Sequence, residues 1–207
     1  MSSGLGDVDH GRHGTVTLMS SYAPMPAAHL PEGHVVHWST WDGEHHETTT
    51  IRWENEGFTV SGVVGRERIE YVLRLSPSWQ VRQFILFRDL EEPDLWLATD
   101  GTGRWGEMNG DHRTELDGCY DLDLACTPFT NTLPIRRLPL HVGDTAELPV
   151  VVVDPETLDV RSELRRYTRV GSHSWRCEHA ETGASVLLEV DEHGLVHDYP
   201  GEFRRLS

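Results

Sequence analysis

Lysine is absent from this chain: all eighteen basic residues are arginines, set against thirty-four acidic ones for a formal charge of -16. We read the missing lysine as a compositional trait. The acidic balance argues against nucleic acid or an anionic membrane surface as a partner. Cysteine is scarce. Cys119, Cys126 and Cys177 are odd in number and lack the CxxC spacing, so neither a disulfide framework nor a thiolate zinc site is expected. Small buried thiols in a reducing compartment fit better. No run approaches the ~20 apolar residues that span a bilayer. The first thirty residues lack a basic stretch followed by an apolar one. These two absences lead us to expect a soluble, cytoplasmic protein with no stable membrane insertion.

Catalytic and cofactor signatures are missing too. There is no HExxH, no calcium loop, no phosphate loop and no GxSxG elbow. Gly101 and Gly103 lack the third glycine and the following helix of a dinucleotide site. Thirteen histidines invite a metal. However, His34 and His37, like His45 and His46, would point to opposite faces of a strand. No metal or cofactor is expected.

What is present is strand after strand. At 207 residues the chain can bury a full core as one domain. Residues 1–33 are rich in Gly, Ser, Pro, Ala and His without periodicity and read as a flexible tail, with the folded part at 34–207. Strands are expected at His34–Trp41 and Glu47–Trp53 around Asp42-Gly43, and at Phe58–Val64, where Gly62 signals a bulge or a close backbone approach. They continue at Ile69–Leu75, Trp79–Phe87 and Leu95–Ala98. Arg104–Met108 and His112–Leu116 flank Asn109-Gly110, the strongest hairpin signal. Ala146–Val153, Val160–Val170, Trp175–His179, Val186–Val190 and Leu195–Tyr199 complete the set. About a dozen or more short, mostly antiparallel strands with little helix predict an all-β rolled sheet or open barrel.

One stretch resists that pattern. Asp121 to Leu138 opens with strand-like alternation and then breaks at Pro128 and Pro134, where a short helical turn is plausible. It mixes Asp121, Asp123, Thr130, Asn131, Arg136 and Arg137 with Phe129, Leu133, Ile135 and Leu138. A segment both polar and apolar must lie partly inside, its polar groups paired to one another or to a ligand. Asp121 and Asp123 share one strand face about 7 Å apart and could do acid/base work. Alternatively they pair with Arg136, Arg137 or Arg104 and hold the loop. The arginine forks also suit a phosphate, sulfate or carboxylate. Trp38, Trp41, Trp53, Tyr71, Trp79, Trp96, Trp105, Tyr120, Tyr167 and Trp175 recur on nearly every strand. They are either core or the lining of an apolar cavity.

Gly103-Arg-Trp105, Gly118-Cys-Tyr-Asp-Leu-Asp-Leu124, Thr127-Pro-Phe-Thr-Asn-Thr-Leu-Pro-Ile-Arg-Arg-Leu138 and the closing Gly194-Leu-Val-His-Asp-Tyr-Pro200 resemble the bacterial "putative glycolipid-binding" family. The likeness runs from about Val36 to Arg205. Arg166 departs from it, standing where that family has Gln. The resemblance implies a single-domain spiral roll related in shape to bacterial lipoprotein carriers, and a glycolipid or lipid ligand.

Two functions are therefore carried forward. The first is a non-catalytic binder holding an amphiphilic small molecule in a Trp- and aliphatic-lined concave sheet. Its candidate contacts are Arg136, Arg137, Asp121, Asp123, Asn131, Phe129, Trp105, Arg104, Tyr71, Tyr167 and Trp38, with the two adjacent arginines near the polar end. The alternative is a hydrolase-like enzyme using Asp121 or Asp123 with Arg136 or Arg137 on a small polar substrate. Oligomeric state is not readable.

Overall fold

The computed structural model describes residues 21–65, 69–89 and 92–206. Fourteen strands are present among them: β1 (His34–Thr40), β2 (His46–Glu54), β3 (Gly57–Val64), β4 (Ile69–Leu75), β5 (Val81–Phe87), β6 (Leu95–Thr99), β7 (Trp105–Glu107), β8 (Asp121–Leu124), β9 (Thr145–Val153), β10 (Val160–Arg169), β11 (Ser174–His179), β12 (Ser185–Glu189), β13 (Asp198–Tyr199) and β14 (Phe203–Leu206). Helix is limited to α1 (Thr132–Arg137) and 3-10 turns at Pro26–His29, Thr114–Leu116 and Phe129–Asn131. The all-β expectation holds.

Nine strands form one sheet in the order β13-β14-β1-β2-β3-β4-β5-β6-β7, and five form a second in the order β12-β11-β10-β9-β8. Neighbours are antiparallel except β8 and β9, which run parallel. The period-2 alternation explains the large sheet. Ile69, Tyr71, Leu73 and Leu75 of β4 point inward while Glu70 stays exposed. Gly62 is a close approach and not a bulge, since β3 keeps its register with both neighbours. A Cβ there would lie 2.1 Å from Cε1 of Tyr71, so the glycine lets the tyrosine ring cross β3 toward β2.

Two cores result. The larger lies inside the nine-stranded sheet and takes in Trp38, Tyr71, Phe84, Trp105, Leu122 and Leu124. The smaller lies against the five-stranded sheet and includes Tyr22, Ile135, Tyr167, Trp175 and Val196. The central stretch joins them. Phe129 and Leu133 belong to the first core, Ile135 to the second, and every residue from Thr127 to Arg136 is buried. Pro134 fits inside α1 because it occupies the first turn, where its missing N–H has no intrahelical partner to lose.

Four expectations need correction. The tail does not extend to residue 33: Tyr22, Met25 and Ala28 are buried in the cores, and Pro26–His29 forms a 3-10 turn. Positions 1–20 of that tail lie outside the described residues. The return strand at His112–Leu116 is one bridge from Gly106 to His112, followed by a 3-10 turn that buries Leu116. Trp79 is not in a strand; its backbone is left-handed at φ 65, closing a turn before β5. Finally, β14 was not foreseen, because Phe203-Arg-Arg-Leu206 does not alternate.

Candidate functional site

The short helix α1 carries the site, since it points its two terminal arginines in different directions. Arg137 turns back to β8. Its Nε donates to Oδ1 of Asp121 at 3.0 Å and its Nη2 to Oδ2 at 2.5 Å, a bidentate pair. The Asp121 side chain has no exposure at all. Burial alone would lower the Arg137 pKa, but the bonds and charge of Asp121 outweigh it and raise it. The guanidinium also stands 5.8 Å from the ring centre of Tyr120.

Asp123 is engaged as well. Its Oδ1 accepts from the Thr130 hydroxyl at 3.0 Å and its Oδ2 from Arg165 at 3.2 Å. Arg165 also bonds Glu163 at 2.5 Å and touches His179. Asn131 accepts from the Tyr167 hydroxyl at 3.1 Å. The structure thus engages Asp121, Asp123, Asn131, Arg137 and Tyr167 in three separate sets of bonds that tie the 3-10 turn and α1 to the small sheet. Two carboxylates committed in this way are poor candidates for acid/base work, because each proton taken up would break a charge-assisted bond.

Arg136 differs. It is 7% exposed, and among the described residues no carboxylate bonds it. Nη1 donates to the backbone carbonyls of Ala23, at 3.4 Å, and His193. Nε is buried without a partner. Burial pulls its pKa down to about 10, against a partial lift from Asp191. The guanidinium lies over the Trp79 ring, 4.4 Å from its centre. From Trp79 a row of rings leads outward: Phe58 at 4.8 Å, Trp53 another 4.9 Å on, then the exposed His29 at 5.5 Å. The left-handed backbone of Trp79 is costly for a bulky residue, and it sits where the ring meets Arg136.

The remaining expected contacts lie elsewhere. Phe129 is a core residue. Trp38 and Trp105 are core too, with their indole N–H groups donating to the Val196 and Cys119 carbonyls at 3.0 and 2.9 Å. Arg104 and Trp105 border a wide-open cleft of about 470 Å³ with Asp100 and His112, at the β6–β7 edge. Arg166, half-exposed, pairs with Glu147 at 2.8 Å. Among the described residues no set of three His, Cys, Asp or Glu could hold a metal ion. Among them, too, no helix is long and apolar enough to cross a membrane.

Tyr71 leads to a buried acid that sequence reasoning passed over. Its hydroxyl, with those of Thr49 and Thr127, donates to Oε1 of Glu47 at 2.8, 2.8 and 2.6 Å. Oε2 has no partner, and burial pushes the Glu47 pKa up to about 7. A signal existed: Glu47 lies in phase with Thr49 and Ile51, on the inward face of β2.

Comparison with known proteins closes the description. A DUF1089 family protein from Pseudomonas aeruginosa, known from a crystal structure, is 34% identical over 81% of this chain and 92% of its own, with a TM-score of 0.67. No curated protein matches the sequence. The model of the family described as "Putative glycolipid-binding" matches residues 35–205. That span takes in nearly all of both sheets and the whole of α1, so the chain belongs to this family.

Proposed function

We propose that this protein is a non-catalytic binder of an amphiphilic molecule of the glycolipid class, with Arg136 at the polar end of its site. The observation that carries the reading is the row from His29 through Trp53, Phe58 and Trp79 to Arg136. Flat apolar faces leading to a buried, unneutralised cation match a molecule with an apolar part and a polar one. Sugar rings also stack on such faces. The family description adds support from an independent direction.

This site differs from the expected one. Trp38, Trp105 and Tyr71 fill the core, as does Trp79, so the apolar contacts move to the part-exposed rings of His29, Trp53 and Phe58 beside Pro26–His29. Arg137 and the two aspartates become the frame that holds α1 in place. The free state of Cys119, Cys126 and Cys177 is in keeping with action in a reducing, cytoplasmic setting.

Native mass spectrometry of protein purified from its own host tests the reading. A co-purifying adduct of amphiphile mass is expected. A bare polypeptide mass, with no binding across a panel of glycolipids and phospholipids, would overturn it.

A further inference from the structure

An arginine buried without a carboxylate is costly, because its hydration is lost and no opposite charge replaces it. Shortage of acid does not explain Arg136, in a chain with thirty-four acidic residues. Nor does local geometry, since Arg137 next to it holds a carboxylate through two bonds. Two imidazoles and a further arginine stand around it. His34 has a buried Nε2 without a partner, and its ring lies 5.3 Å from that of His193, whose carbonyl accepts from Arg136. Arg169 flanks the far side of Tyr22, 5.5 Å from its ring centre.

Asp191, the carboxylate whose charge acts on Arg136, is already committed. Its Oδ2 accepts from Arg205 at 2.6 Å, and its Oδ1 accepts the backbone N–H groups of His193 and Leu195 at 2.8 and 2.9 Å. Gly194, at φ 78, lets both side chains pack close: a Cβ there would fall 3.1 Å from Cγ of Tyr22 and 3.2 Å from Cγ of Arg136. What neutralises Arg136 at present is a pair of carbonyl oxygens and the face of Trp79. Carbonyl oxygens are partial charges standing where the oxygens of an anion would stand.

We infer that the amphiphile carries an anionic group, a phosphate, sulfate or carboxylate, and that Arg136 is its contact, with Nε as the donor held in reserve. The inference rests on the amphiphile reading above and sharpens it from any glycolipid to an anionic one. The Tyr22–Ala23 segment covers the guanidinium, since Ala23 donates its N–H to the Glu192 carbonyl and lends its own carbonyl to Arg136. Ligand oxygens replace that carbonyl.

The test is a titration followed by tryptophan fluorescence, with Trp79 as the nearest reporter. Three probes are used below micelle formation: dodecyl glucoside, its phosphate monoester, and inorganic phosphate. Charge-assisted bonding predicts that wild-type protein binds the phosphate ester about tenfold or more tighter than the neutral glucoside. Arg136→Gln lowers the ester to the affinity of the glucoside, and Arg136→Lys keeps part of the preference. Circular dichroism checks that each variant is folded; should Arg136→Gln unfold, the wild-type pair and Arg136→Lys decide. Equal binding of ester and glucoside overturns the anionic inference and leaves the amphiphile reading standing. A preference that survives Arg136→Gln overturns the assignment of Arg136. Inorganic phosphate binding as tightly as the ester makes the site one for a free anion. Binding of none of the three overturns both readings.

Discussion

Arg136 and Arg137 are neighbours on one short helix, and the fold treats them in opposite ways. Arg137 meets both oxygens of a fully buried aspartate. Arg136 meets only carbonyls and a tryptophan ring, and keeps an unused donor. The first arrangement specifies architecture, because the charge of Arg137 is already neutralised by Asp121. The second leaves a buried charge answered by partial charges alone. Composition cannot tell the two apart; the presence of a bonded carboxylate can.

The sharpest way to break the comparison is one substitution at both positions. Arg137→Gln strands the Asp121 carboxylate in a dry interior and should cost about 3–5 kcal/mol, the usual penalty for a buried charge robbed of its partner. Arg136→Gln gives up two carbonyl contacts but relieves an uncompensated charge. The two effects nearly cancel, leaving about 1 kcal/mol or less in either direction. Urea unfolding of both variants measures the difference. Equal losses would mean that Arg136 is as structural as Arg137.

Between these extremes stands Glu47, a buried charge answered by hydroxyls. Its pKa is about 7 in the fold against 4.5 unperturbed. Below pH 4.5 both folded and unfolded chains hold the proton. Above it the unfolded chain releases the proton first, so stability falls as pH rises and levels off beyond 7. The shift corresponds to a loss of about 3 kcal/mol across that window. Glu47→Gln cannot ionise and should remove this slope, which chemical denaturation at pH 5 and pH 8 would show. A variant with the same slope as the wild type would place the titration elsewhere. Glu47 accepts from Thr127 of the central stretch, so it ties that stretch to the large sheet as Asp121 ties it to the small one.

Arg166 gives the smallest expected effect. Its ion pair with Glu147 is exposed on both sides, and such pairs contribute about 0–1 kcal/mol. Arg166→Gln should leave both stability and ligand preference within error. A measurable change in binding would bring the outer face of the small sheet into the site.

These contrasts show how much the sequence disclosed. Strands with clean alternation, such as Ile69–Leu75, were legible to the residue, because one buried face fixes the register. The central stretch was legible as an insertion from its mixture of apolar and ionic residues. The identity of its partners was only half legible. Asp121 has three candidate partners in the sequence, Arg136, Arg137 and Arg104, and nothing local says which. Arg165, the partner of Asp123, lies 42 positions away and carries no motif. The buried Tyr22, Met25 and Ala28 were hidden because isolated apolar residues among Pro, Ser and Ala show no period. Trp79 was hidden for a different reason. A left-handed tryptophan contradicts its own propensity, and such conflicts are resolved only by tertiary contacts, here Phe58 and Arg136.

The central claim is that, of the two adjacent arginines, only Arg136 keeps a buried Nε–H without a partner, whereas the Nε–H of Arg137 is held by Asp121. Nitrogen-15 NMR of the arginine Nε–H groups tests it most directly, during titration with the phosphate ester of dodecyl glucoside. The account predicts that the Arg136 Nε–H resonance moves on binding while that of Arg137, held by Asp121, stays where it is. Movement of the Arg137 resonance with Arg136 unchanged would contradict it.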